Sequence, residues 1–80
     1  MRVRLFAAAA EAAGCEERTV GGATTLRELC EVLVREHGAE LGTVLARCSF
    51  LVDGVRGDGD GDMKVPAGAT VDVLPPFAGG

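Results

Sequence analysis

With 80 residues the chain has room for one small domain and no second core. A net charge of −4 argues against the clustered basic face that nucleic acid requires, and no apolar run approaches the roughly 18 residues of a membrane span. Hydrophobic residues at 48% with 25% charged residues place the chain among folded rather than disordered sequences.

Arg2-Val3-Arg4-Leu5-Phe6 alternates polar and apolar residues and predicts a strand with one buried face. Ala7 to Ala13 is strongly helix-forming and Gly14 is placed to end it. Arg2 and Arg4 ahead of this apolar stretch mimic a signal peptide, but Glu11 interrupts the run, so none is expected and a cytoplasmic location is. A short strand is expected over Glu17 to Val20, broken by Gly21-Gly22. Thr25-Leu26-Arg27-Glu28 has the capping-box pattern. In the helix that follows, Leu26, Leu29, Cys30, Leu33 and His37 share one face, and Gly38 fits a left-handed terminating position. Glu40 to Arg47 adds a short helical turn. Ser49 to Val52 reads as a strand ending at the hairpin signal Asp53-Gly54. After the polar stretch from Gly57 to Asp62, a further short strand is expected near Met63 to Val65. A Pro66-Ala67-Gly68 turn then leads into Ala69 to Leu74, with Val71 and Val73 inward and Thr70 and Asp72 outward. The order β-α-β-α-β-β is that of an α+β domain, with the long helix packed on one sheet face.

Few side chains suggest catalysis. Cys15, Cys30 and Cys48 are odd in number and lack CxxC spacing, so neither a disulfide framework nor a zinc site is expected. Cys30 falls on the core stripe, and no activating neighbour is predicted for Cys15 or Cys48. His37 is the single histidine, so no Ser/His/Asp set is available; its expected role is a partly buried residue at a helix end. Asp58-Gly59-Asp60-Gly61-Asp62 begins like a calcium loop, but Met63 stands at its sixth position and Ala69 at its twelfth, where Gly and Glu belong. A solvated turn is expected there, and no metal.

The end of the sequence is more informative. Read as the chain terminus, Gly79-Gly80 carries a free carboxylate on two residues without side chains, which can thread a channel that side chains would block. Pro75-Pro76 ends sheet pairing and favours an extended tail, which lowers the entropy lost on capture. Phe77 is an aromatic on that tail and a candidate contact for a partner, with folding back onto the domain as its alternative.

Taken together, Val3-Arg4-Leu5-Phe6-Ala7, the alanine-rich helix ending at Gly14, the central Val52-Asp53-Gly54 and the close Leu74-Pro75-Pro76-Phe77-Ala78-Gly79-Gly80 resemble the ubiquitin-like sulfur carriers, most specifically the small subunits of molybdopterin synthases. The resemblance covers nearly the whole chain. It implies the β-grasp fold, a mixed sheet of four to five strands packed on one long helix, as one domain over residues 1–80 with 75–80 as an extended tail. It also implies that an E1-like partner uses ATP to adenylate Gly80, that a sulfur donor protein converts this to a thiocarboxylate, and that the large synthase subunit holds the pyranopterin acceptor. By the same resemblance the assembly is a heterotetramer, the chain binds no permanent cofactor, and it is not catalytic alone. Docking is expected to use Phe6, Leu74, Pro75, Pro76, Phe77, Ala78 and Gly79. Two positions depart from the family pattern: Pro66-Ala67-Gly68-Ala69-Thr70 replaces a common acidic turn, and Phe77 replaces a smaller β-branched residue. Both bear on partner choice.

Three alternatives accompany this reading. One is a carrier for thiazole or sulfur amino acid synthesis. Another is a ubiquitin-like modifier that forms isopeptide bonds, and the third is a binding module with an idle terminus.

Overall fold

Strand β1 (Arg2–Leu5) lies at the heart of the sheet, because Val3 and Leu5 are buried and Arg2 and Arg4 exposed, as the alternation predicts. The computed structural model describes residues 1–58 and 61–76. Its elements follow in the order β1, α1 (Ala8–Ala13), β2 (Glu17–Thr19), α2 (Leu26–His37), α3 (Ala39–Leu45), β3 (Ser49–Val52), β4 (Val55–Gly57) and β5 (Thr70–Leu74). The five strands form one mixed sheet in the order β2-β1-β5-β3-β4. β1 and β5 are parallel, with Val3 opposite Val71 and Leu5 opposite Val73, and the other pairings are antiparallel.

The core lies between the sheet and the helices. Val3, Leu5, Phe50, Val52, Val71 and Val73 project from the sheet, and Leu26, Leu29 and Leu33 meet them from α2 with no exposed surface. This is the leucine stripe seen in the sequence. Its two remaining members lie at the margin: Cys30 and His37 are half-buried. Leu41 and Leu45 add a second helical contribution from α3, so the helical layer is α2 flanked by two shorter helices rather than one helix alone.

Helix α2 starts at the expected cap. Thr25 is extended, and its hydroxyl accepts from the Glu28 N–H at 3.2 Å. Glu28 returns the bond one residue earlier than a standard capping box, to the N–H and hydroxyl of Thr24 at 2.9 and 2.6 Å. The first helical N–H groups find partners in the chain that crosses above them: Leu26 donates to the Met63 carbonyl at 3.0 Å and Arg27 to that of Gly61 at 3.3 Å. This explains why Met63 to Val65 is not the expected strand. It caps α2 and contributes only one isolated bridge to the β structure, between Lys64 and Thr25.

Two connections need unusual backbone. Asp53 and Gly54 both have positive φ, 48° and 85°, as a type I′ hairpin between β3 and β4 requires. Gly38 joins α2 directly to α3 and adopts φ 100°, ψ 176° instead of the expected left-handed helical conformation. Only glycine enters that region without strain.

Candidate functional site

β1 and β5 end side by side, and that shared end positions the start of the tail. The Phe6 N–H donates to the Val73 carbonyl at 3.2 Å, which extends the parallel pairing one step past Leu5. Strand alternation then puts Phe6 and Leu74 on the face opposite Val71 and Val73, the side of the sheet away from the helices. Phe6 is 38% exposed and is one of two large exposed hydrophobic residues among those described. Leu74 is half-buried and pairs with Ser49 of β3. Pro75 is buried and Pro76 exposed, so the first residue of the expected tail belongs to the core and solvent contact begins at Pro76. Phe77, Ala78, Gly79 and Gly80 lie outside the described residues.

The chain reverses beside this patch with visible strain. Ala7 has φ 50° and ψ −125°, and the Ala9 N–H closes the turn onto the Phe6 carbonyl at 3.1 Å. These angles match the first central position of a type II′ turn, normally a glycine site. Helix α1 then runs to Gly14, whose N–H reaches the Ala10 carbonyl at 2.9 Å. Toward the start of the strands, Arg4 grips Asp72 through two parallel bonds, Nε to Oδ1 at 2.6 Å and a terminal nitrogen to Oδ2 at 2.8 Å. Arg2 pairs with Glu17, whose carboxyl it holds below the usual range chiefly through that hydrogen bond. The patch is therefore apolar at the tail and charged behind it.

The expected non-catalytic residues have structural partners. His37 Nε2 lies 2.6 Å from the Arg18 guanidinium, which can only donate, and Arg18 also pairs with Glu36. This ties β2 to the end of α2. All three cysteines are half-buried thiols. Cys48 donates to the Val44 carbonyl at 3.2 Å, and burial pushes its thiol up, away from the reactive thiolate. Among the described residues, no three His, Cys, Asp or Glu side chains are grouped to hold a metal ion. The Arg4–Asp72 fork was not anticipated from the sequence. Both residues read as outward, but the parallel pairing of strands 68 positions apart leaves no local signal.

A mixed sheet with its first and last strands parallel at the centre, crossed by a long helix, defines the β-grasp, ubiquitin-like class. The chain belongs to the ThiS family, whose sequence profile matches residues 3–80, and so the resemblance to the ubiquitin-like sulfur carriers holds. In structure it is similar to SAMP1 from Haloferax volcanii, at TM-score 0.76 and 26% identity over 100% of this chain and 98% of that one. A second structure of this small archaeal modifier protein 1 superposes at TM-score 0.73 with 25% identity, over 96% and 97%. A Pyrococcus furiosus protein assigned as molybdopterin converting factor, subunit 1, shares the fold at TM-score 0.72 and 24% identity, over 95% of each chain. No curated protein matches the sequence. Among the described residues, no helix is long and apolar enough to cross a membrane.

Proposed function

We propose that this chain carries sulfur on the carboxyl group of Gly80 and delivers it to a pyranopterin precursor in molybdopterin synthesis. The observation that carries the reading is the ending Leu74-Pro75-Pro76-Phe77-Ala78-Gly79-Gly80 on a β-grasp domain of the ThiS family. A carboxylate resists nucleophiles, since its charge repels them and oxide leaves poorly. Attack of the Gly80 carboxylate on ATP in an E1-like partner gives an acyl-adenylate and pyrophosphate. Sulfide-level sulfur from a donor protein adds to the acyl carbon and AMP leaves, which produces the thiocarboxylate. Its sulfur is a soft nucleophile that attacks an electrophilic acceptor carbon, forming a carbon–sulfur bond as a carbon–oxygen bond at that carbon breaks and its electron pair returns to oxygen. Water then cleaves the acyl–sulfur bond and restores the Gly80 carboxylate, so the chain is a recycled co-substrate.

The architecture supports this division of labour. Phe6 and Leu74 form an apolar patch at the base of the tail, suited to a partner that draws Gly79-Gly80 into its own active site. The large synthase subunit holds the acceptor and the chain supplies Phe6, Leu74, Pro76, Phe77, Ala78 and Gly79 for docking, with the buried Pro75 anchoring the tail rather than touching the partner, in a heterotetramer with two copies of each. Transfer from the purified thiocarboxylate form to the precursor, in the presence of the cognate large subunit, tests the reading. The carrier mass should return to that of the carboxylate as the precursor gains sulfur. Thiazole or sulfur amino acid precursors gaining sulfur instead would redirect the pathway.

The likeness to a small archaeal modifier protein favours a second reading, conjugation of Gly80 to lysines. It needs the same adenylation but predicts covalent adducts rather than a returned free carrier.

A further inference from the structure

The base of the tail has a second side. On the helical face, opposite Phe6 and Leu74, a groove of 400 Å³ is lined by Ala8, Thr43, Val44, Arg47, Pro75 and Pro76. We infer that this groove is a docking surface for the ATP-dependent adenylating partner, which fills it with an apolar side chain flanked by a carboxylate. The inference rests on the reading that Gly80 is activated, which the carrier and modifier functions share. For that reason the occupant is the adenylating partner and not an acceptor-specific one.

Reach supplies the first argument. Gly80 lies only four residue steps beyond Pro76, a span of at most about 14 Å when fully extended. A protein that holds the Gly80 carboxylate beside ATP must bring the mouth of its channel within that distance of Pro76. Pro76 is itself a wall of the groove, so the rim of the channel lies over it. The sheet-side patch contacts one flank of the same mouth, and the groove contacts the other.

Charge supplies the second argument. Arg2, Arg4, Arg18 and Arg27 all have carboxylate partners within the chain. Arg47 is exposed just beyond α3 and, like Arg35, Arg56 and Lys64, has no ion-pair partner among the described residues; what sets it apart is its place in the groove. It is the single charged residue of an otherwise apolar and hydroxyl-bearing lining, on a chain of net charge −4. A cation left open there selects a partner carboxylate and speeds encounter with an acidic rim. Pairing across such a rim acts on association more than on chemistry. Its loss therefore falls on KM.

The test uses the full chain with the purified adenylating enzyme of the same host, following ATP-dependent pyrophosphate release against chain concentration. Arg47→Glu and Thr43→Trp change exposed side chains of the groove, and thermal melting confirms that each variant folds. Each should raise KM by about tenfold with kcat unchanged, and Arg47→Lys should recover most of the loss. Added salt should raise the wild-type KM more steeply than that of Arg47→Ala. Normal activation of the wild type with unchanged KM in both Arg47→Glu and Thr43→Trp would overturn the inference alone. Failure of the active enzyme to activate the wild-type chain would overturn the Gly80 reading, and the inference with it.

Discussion

Ala7 offers a quantitative test of the turn that sets the direction of the chain beside Phe6. Its φ of 50° and ψ of −125° put a Cβ where glycine is the usual residue, and the residue is exposed, so its methyl group makes no core packing to lose. Holding a non-glycine residue in such a region costs of order 1–3 kcal/mol. Ala7→Gly removes that strain but loosens the unfolded chain, which opposes the gain by roughly 0.4–1 kcal/mol. The net expectation is a stabilisation of about 1 kcal/mol, equivalent to a rise of roughly 4–8 °C in Tm for a domain of this size. Equilibrium urea unfolding should show a higher midpoint at unchanged slope, since the folded and unfolded surfaces stay the same. Ala7→Val, whose branched side chain tolerates the region worse, should move the midpoint the other way. A loss of about 0.5–1 kcal/mol in Ala7→Gly, the ordinary cost of glycine in a helix, would refute the strained turn and place Ala7 inside α1.

Other perturbations separate fold from function. Leu33→Ala empties a site with no exposed surface at the centre of the core and should cost about 3–4 kcal/mol in urea unfolding, a large share of the stability of so small a domain. The Glu28 carboxyl is held below its ordinary value first by the Thr24 hydroxyl and next by the Thr24 N–H. Its folded pKa is therefore the lower one. The resulting stabilisation is complete above the unfolded value near pH 4.3 and is lost as pH falls through the folded value, so Glu28→Gln should flatten the acid limb of a stability–pH curve. Phe6→Asp should leave the melting temperature near that of the wild type yet weaken binding to the large synthase subunit by more than about tenfold, measured by calorimetry. Unchanged affinity would remove Phe6 from the docking patch.

The parts of the fold legible in the sequence are those with short-range causes. The cap at Thr25, the leucines at helical spacing and the Asp53-Gly54 hairpin are each specified by a few neighbouring residues, and each stands where expected. Gly57 misled, because a glycine among aspartates reads as loop. In β4 it is instead the residue that fits, since a Cβ there would collide with the side chains of Met63 and Leu26. Long-range pairing was invisible. Nothing near Arg4 announces Asp72, and nothing near Met63 shows that its carbonyl caps a helix starting at Leu26. At the candidate site, the sequence identified Phe6 and Leu74 as residues of interest, and the parallel register of β1 and β5 supplied the reason they share a face. The groove at Arg47 was not anticipated, because it joins α1, α3 and the tail from three separate parts of the chain.

Sulfur carried on Gly80 leaves a direct signature in the intact mass of the chain. The wild-type chain and a variant lacking Gly80 are incubated with ATP, a sulfur source and the host's adenylating enzyme, with that enzyme shown to be active. The wild type should gain the mass difference of one oxygen exchanged for one sulfur, and the variant should gain none. An unchanged wild-type mass, or the same gain in the chain without Gly80, would contradict sulfur carriage on Gly80.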